Sequence, residues 1–412
     1  MSNLELVSVM VCTAAAFGWA THRFLRLPVS IGTMLLTIAA SLALLAVGAF
    51  APGLHLWALG LVAQIDFSGL LMHGMLPLLL FAGSFLLDLK QLFEQRLLVS
   101  VLSVAGTLAA AGAVAALMHF CLLLFRLNAD WLPCLFFGAL ISPTDPIAVL
   151  EMLKRAGVPP HLQAQLAGES LFNDGVGAVL FIAVLDASRG ATPHASQVIL
   201  SLLLKAGGGL LLGVAVAWLT ARLMDMVDSE ELEILFTLAL ALAGYGLADR
   251  LHVSGPLEAV AAGIALRRFY GNSRAANPAR SRLDHFWEVI EHIQNSVLFV
   301  LLGLEVLAIP LLRSSFETGF AAIVCVTAVR LASVATAVYS VRWFQRGYKS
   351  SISILTWGGL RGGLSIALAL SVPPEYGRAW ILATTYFVVV FSIAIQGGSM
   401  DLFLHRQKLK SA

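Results

Sequence analysis

Charge is scarce along this chain of 412 residues. Charged side chains make up 12% of the sequence and hydrophobic ones 59%, whereas a soluble domain is about 25% charged. A composition this poor in charge excludes a soluble globular protein and indicates an integral membrane protein. The short alternating segments of transmembrane barrel strands are also missing, so the membrane spans are expected to be helices.

Other absences narrow the function. The four cysteines are scattered singly in apolar runs, so neither a disulfide nor a cysteine metal site is expected. Residues 1–6 lack the basic stretch of a signal peptide, and the first apolar run is expected to be retained. A net charge of +2 gives no reason to expect a nucleic-acid partner. The Gly-x-Ser-x-Gly, His-Glu-x-x-His and Gly-x-x-x-x-Gly-Lys motifs are absent, so an intramembrane enzyme is a weak alternative and no cofactor is expected.

Long apolar runs dominate what is present. About 20 apolar residues cross a bilayer as a helix, and the runs predict an all-α membrane protein with about thirteen transmembrane helices. No soluble domain is expected, so residues 1–412 would form a single transmembrane unit. The predicted spans are 4–22, 29–50, 68–87, 97–125, 131–152, 164–187, 196–223, 230–249, 254–267, 285–309, 317–341, 351–371 and 379–403.

The basic residues predict the orientation of the chain in the membrane. Most of the 26 lysines and arginines fall in one alternate set of connections, which should lie in the cytoplasm. The N-terminus is then outside and the C-terminus inside. The opposite set of connections carries only Arg126, Arg189, Arg250, Arg313 and Arg378.

Two of the predicted spans are interrupted. Pro143 and Pro146 break span five, because proline removes a backbone donor and clashes with the preceding turn. Four glycines around Arg361 weaken span twelve. The two breaks are an odd number of crossings apart, which predicts an inverted repeat of six helices with span seven as the connector. Two crossed broken helices at matching positions indicate the binding site of a transporter near the membrane centre.

Two buried acidic residues, Asp145 and Asp174, stand beside these breaks. A carboxylate at membrane depth is costly and usually serves a function. Positive N-terminal ends of half-helices favour a carboxylate such as Asp145, and negative C-terminal ends favour a cation such as Arg361. A purely structural role for either charge is the alternative interpretation.

Asp174 has the neighbours of a small-cation site. Ser170 lies four residues earlier on the same helical face, and Asn173 is adjacent. Carboxylate, hydroxyl and unwound backbone oxygens suit a hard cation, and burial lets the same carboxylate take a proton instead. Because Asn173 is neutral, one charge would carry one cation or one proton, which predicts electroneutral exchange. Glu169 needs a buried partner: Arg361 is the first choice by sequence, and Arg330 is the alternative.

Three motifs carry a family resemblance. SPTDPIAV (142–149), GESLFNDG (168–175) and LRGGLS (360–365) resemble the monovalent cation:proton antiporter family, in its sodium/proton exchanger branch with the Asn-Asp motif. The resemblance covers about residues 10–400.

The resemblance implies a homodimer in which a core domain moves against a dimerisation domain. The core would comprise approximately 68–187 and 285–403, and the dimerisation scaffold approximately 1–50 and 196–267. The chain would lie in a bacterial inner membrane and exchange Na⁺ for H⁺.

The resemblance also implies roles for the site residues. Asp174 would bind the cation or the proton, and Glu169 and Arg361 would form a structural ion pair. The residues that would bind the ion are Asp174, Asp145, Thr144, Ser170 and Asn173, with Asp174, Ser170 and Thr144 as ligands of Na⁺.

One position departs from the family pattern. Many relatives carry an acidic residue where this chain has Ala82, which would leave the site one ligand short. Ser84 could contribute a hydroxyl, although packing is the competing role. K⁺/H⁺ or mixed-cation exchange is therefore an alternative, and a cation channel or a sensor without transport is a further one. Glu291, between His285 and His292, fits either a pH-sensing cluster or an ordinary helix start.

Overall fold

The computed structural model describes residues 3–25, 28–48, 66–127, 130–188, 195–227, 229–273, 278–308, 313–344 and 351–411, together with Gly53 and Gly60. The polar connection around 274–277 and most of the segment before the third span lie outside these residues. Within them the chain is helical, and the only β-type pairing is one isolated bridge.

The helices follow the apolar runs. We label them in chain order, and α16 continues into α17 through a π-helical turn, Ser392–Gly397. The helices are α1 Asn3–Ala20, α2 Val29–Gly48, α3 Phe67–Phe85, α4 Leu89–Glu94, α5 Arg96–Leu124, α6 Trp131–Ile141, α7 Ile147–Arg155, α8 Pro160–Ser188, α9 Ala195–Met224, α10 Glu230–Arg250, α11 Gly255–Ser273, α12 Pro278–Glu305, α13 Arg313–Phe344, α14 Ile352–Trp357, α15 Gly363–Ser371, α16 Arg378–Phe391 and α17 Gly398–Ser411.

The membrane character of the chain is confirmed. Among the described residues, 8 helices are long and apolar enough to cross a bilayer. Every predicted span overlaps a described helix or a pair of half-helices. The exact number of crossings and the inverted repeat stay predictions.

Both predicted interruptions are present. Helix α6 ends at Ile141 and α7 begins at Ile147, so the chain leaves the helix across the two prolines. Helix α14 ends at Trp357 and α15 begins at Gly363. Ser351 starts α14 by accepting a hydrogen bond from the Ile354 N–H, at 3.3 Å, which satisfies one of the free donors of the first turn.

Helices α9 and α11 pack unusually closely. A Cβ at Gly209 would lie 2.4 Å from the Ser254 carbonyl oxygen, and one at Gly213 would lie 2.3 Å from that of Glu258. Small residues let helix backbones approach in this way. The outer face of α9 exposes large apolar residues such as Leu211 and Trp218, as a lipid-facing surface should.

Two faces of helix α3 have different surroundings. Phe81, Ala82 and Phe85 are buried in an apolar cluster with α9–α12, where Phe81 lies against Trp287 at a ring separation of 4.8 Å. The opposite face, including Leu80 and Gly83, lines a central cavity. Helix α3 therefore stands at the boundary between the cavity and the α9–α12 group.

Candidate functional site

The two interrupted helices meet at their breaks. The Asp145 N–H donates to the Leu360 carbonyl, at 2.7 Å, and forms the isolated antiparallel bridge. The neighbouring Arg361 N–H donates to Ser392 Oγ, at 3.0 Å, which ties the second break to the π-helical turn after α16. The predicted crossing of two broken helices is confirmed.

Arg361 compensates the C-terminal end of α6. Its guanidinium, with the residue 4% exposed, donates through Nη1 to the carbonyls of Ser142 and Pro143, the latter at 2.7 Å. These carbonyls extend the negative end of the half-helix, where a cation is stabilising. The structure thus supports the helix-end argument for Arg361.

Asp145 lies at N-terminal helix ends, whereas Arg361 lies at a C-terminal one. It precedes the first turn of α7, and a Cβ at Gly362 would lie only 2.2 Å from its Oδ2. Gly362 is the residue that caps the start of α15. The carboxylate of Asp145 therefore sits at the N-terminal ends of both half-helices, whose partial positive charge favours an anion.

The predicted pairing of Glu169 with Arg361 is wrong. Glu169 is 1% exposed and pairs with Arg330 of α13: Nη2 donates to Oε2 at 2.9 Å, and Nη1 donates to Oε1. Arg330 also donates to the Leu355 carbonyl near the end of α14, at 2.8 Å. A bidentate arginine satisfies both oxygens of a buried carboxylate. Arg361 cannot replace it there, because its guanidinium is committed to the end of α6.

Thr144, Ser170 and Asn173 form one buried hydrogen-bonded cluster. The Thr144 N–H donates to Asn173 Oδ1 at 3.2 Å, and Asn173 Nδ2 donates to Thr144 Oγ1 at 2.8 Å. Thr144 Oγ1 lies 2.9 Å from Ser170 Oγ, where either hydroxyl can donate. Through these bonds α8 holds the unwound segment of the first broken helix in place.

Asp174 faces a cavity of about 170 Å³. Thr144 and Asp145 line the same space, so the structure brings together three of the predicted ion-binding residues. Ser170 and Asn173 do not line it and stand behind Thr144. The charges that act on Asp174 are those of Asp145 and Arg361.

Sequence reasoning missed three other polar residues of the cavity. Glu291, Lys154 and Ser365 line it together with the aspartates. The sequence suggested only a pH-sensing cluster or an ordinary helix start for Glu291, and not a place in the cavity. The signal that could have found it is the seven-residue spacing to Leu298, which puts both residues on one face of α12.

The Ala82 position does not face the cavity. Ala82 is 0% exposed and packs in the cluster with α9–α12, while the next residue but one, Ser84, donates its hydroxyl to the Phe81 carbonyl at 2.9 Å. Ser84 Oγ would lie 1.9 Å from a Cβ at Gly263 of α11. Both residues therefore serve the packing of α3 on α11 here.

Known proteins match nearly the whole chain. Residues 11–406 match the family described as sodium/hydrogen exchanger, transmembrane. The chain belongs to the sodium/hydrogen exchanger family. Among curated members, it is 38% identical over 409 residues to the Na⁺/H⁺ antiporter NhaP of Pseudomonas aeruginosa, covering 98% of this chain and 96% of that one. It is 31% identical over 328 residues to the Na⁺/H⁺ antiporter NhaH of Halobacillus dabanensis, covering 78% of this chain and 79% of that one.

A solved structure has the same fold as this chain. The sodium proton antiporter MjNhaP1 from Methanocaldococcus jannaschii, at pH 8, aligns with a TM-score of 0.73 and 18% identity, over 97% of this chain and 100% of that one. The resemblance read from the motifs is confirmed, as is the prediction of a transporter rather than an enzyme.

Proposed function

We propose that this protein exchanges Na⁺ for H⁺ across the membrane, one for one, and that Asp174 binds the two in turn. The observation that supports this most directly is the placement of Asp174, facing a cavity beside the crossed breaks of two half-helices. A curated relative that matches nearly end to end carries the name Na⁺/H⁺ antiporter.

Competition for one carboxylate is enough for exchange. Na⁺ prefers hard oxygen ligands, and the Asp174 carboxylate with the Thr144 oxygens beside it supplies them. Ser170 and Asn173 keep Thr144 in position through the cluster described above. When the cation leaves, the same carboxylate takes a proton, and the loaded site carries the same net charge in both directions.

The same proposal includes the domain movement, the oligomeric state and the membrane. Core residues 68–187 and 285–403 would move against scaffold residues 1–50 and 196–267, with α3 at the boundary, in a homodimer within a bacterial inner membrane. The end of the cavity at Lys154 and Glu291 would be cytoplasmic, in keeping with the basic connections predicted on that side. No cofactor is needed beyond the transported Na⁺ and H⁺.

Reconstitution in proteoliposomes tests the proposal. Proton flux is driven in turn by Na⁺, K⁺ and Li⁺ gradients for the wild-type protein, Asp174→Asn and Asp186→Asn. Asp186 is the matched control, because it lies on the same helix α8 but is exposed, pairs with Lys205 at 2.8 Å and does not line the cavity.

Asp174→Asn should abolish proton flux, and Asp186→Asn should keep it. Wild-type flux in Asp174→Asn would overturn the assignment of the exchanging carboxylate. A passive, proton-independent cation flux would favour the channel alternative. Flux driven by K⁺ in preference to Na⁺ would replace Na⁺ as the substrate and leave the antiport mechanism in place.

A further inference from the structure

The cavity contains a carboxylate that the exchange proposal does not use. Glu291, on α12, lines the cavity with Asp145 and Asp174. Two turns further along the same face, Leu298 packs against the second break, where its Cδ1 would lie 2.6 Å from a Cβ at Gly363. Glu291 therefore lies about 10 Å along α12 from the crossing of the half-helices, since a helix rises about 1.5 Å per residue.

A lysine side chain lies at the same end of the cavity as Glu291. Lys154, in the last turn of α7, is exposed and also lines the space. The neighbouring Arg155 is held by Glu151 at 2.5 Å. The titratable groups that interact with Glu291 are His292, Lys154, Asp145 and Glu288.

We propose that Glu291 and Lys154 form a charge-balanced entrance to the Asp174 cavity, in which Glu291 offsets the lysine and lets the cation enter. This inference rests on the proposed exchange function and adds a residue pair that sets the apparent affinity for the cation. Neither residue is a ligand of the bound ion.

The proposal follows from the geometry of the path. A cation that reaches Asp174 from the Lys154 end must pass a fixed positive charge. Unit charges a few ångströms apart at a protein surface repel appreciably, and salt weakens this repulsion over about 8 Å at physiological ionic strength. A carboxylate that lines the same cavity offsets this charge without holding the ion, so loss of Glu291 should expose the effect of Lys154.

The test compares variants of the pair in the same proteoliposome assay. Glu291→Gln should raise the KM for Na⁺ about 1.5-fold to fivefold with little change in kcat, the size expected for one partly exposed charge pair. Lys154→Gln should lower KM, and the Glu291→Gln/Lys154→Gln double variant should return close to the wild-type value. Added choline chloride should shrink the KM differences between the wild type and each single variant.

Two variants separate a charge effect from a structural one. Glu291→Asp keeps the carboxylate and should restore a KM near that of the wild type. Glu94→Gln is the matched control, because Glu94 is exposed at the end of α4, does not line the cavity and is not among the charges that act on Glu291. It should leave KM unchanged.

The failures are distinguishable. Equal KM values for wild type and Glu291→Gln, with Asp174→Asn inactive, would overturn the entrance proposal alone. A double variant as impaired as Glu291→Gln would show that Lys154 is not the charge being offset, and would also overturn it. Activity of Asp174→Asn would instead overturn the exchange proposal on which this one rests.

Discussion

The buried pair of Glu169 and Arg330 should be a main determinant of stability. Glu169 is 1% exposed, and the Arg330 side chain is 8% exposed. Removing one partner from such a pair leaves an uncompensated buried charge and costs about 3–5 kcal/mol. Glu169→Gln and Arg330→Gln should each destabilise the protein by that amount.

The double variant Glu169→Gln/Arg330→Gln should be no less stable than either single variant, because it leaves no unpaired charge. This corresponds to a coupling free energy of at least about 3 kcal/mol between the two sites. The measurement is reversible unfolding in mixed dodecyl maltoside and SDS micelles, followed by circular dichroism, for the complete cycle.

A parallel cycle decides between the two arginines. Glu169→Gln combined with Arg361→Gln should show much weaker coupling, because Arg361 is bonded to the Ser142 and Pro143 carbonyls and interacts with the Glu169 charge without a hydrogen bond to it. Strong coupling of Glu169 to Arg361, together with additivity toward Arg330, would refute the pairing in this structure and restore the one expected from the sequence.

Three further outcomes are expected. Arg361→Ala should lower the folded yield more than the cation affinity, measured by fluorescence-detected gel filtration beside flux, since it removes the compensation of the α6 end; normal yield with lost affinity would place Arg361 in the ion site. Exchange should be unchanged when the membrane potential is clamped at different values with valinomycin, and strong voltage dependence would contradict one-for-one stoichiometry. Gly359→Ala should destabilise the protein by about 1–3 kcal/mol, because a Cβ there would lie 2.5 Å from Arg330 Nε; wild-type stability in the same unfolding assay would contradict this.

Much of the fold could be predicted because the membrane imposes it. Long apolar runs had to be helices, and Pro143 and Pro146 had to interrupt one of them. The glycines around Arg361 marked the second interruption in the same way. These are local properties of the chain, and the two breaks lie where the sequence placed them.

The pairing of charged side chains between distant helices was harder to predict from the sequence. Arg330 lies in the middle of α13, an apolar helix on which the sequence pattern does not reveal the direction of one polar side chain. Arg361 was the more conspicuous candidate for Glu169 because it interrupts a helix. The structure shows that Arg361 instead binds the Ser142 and Pro143 carbonyls at the end of α6, the role that the helix-end argument had predicted for it.

The sequence also could not predict which side of a helix two neighbouring residues face. Ala82 and Gly83 are adjacent, yet one packs against α11 and the other lines the cavity. A helix turns by about 100° per residue. A small error in the predicted rotation of α3 therefore exchanges a residue that lines the cavity for one that packs against α11. The doubt raised by Ala82 could therefore be examined only with the helix in place.

The wall that α3 presents to the ion site is made of hydrocarbon. The polar residues of the cavity come from α7, α8, α12, α15 and the first break. Toward the cavity, α3 and the two residues that follow it contribute only leucines and one glycine. An ion held at Asp174 would gain no side-chain ligand from this wall, so its coordination would rest on the polar residues of the other elements. The residues of that wall are Leu71, Leu76, Leu79, Leu80, Gly83, Leu86 and Leu87.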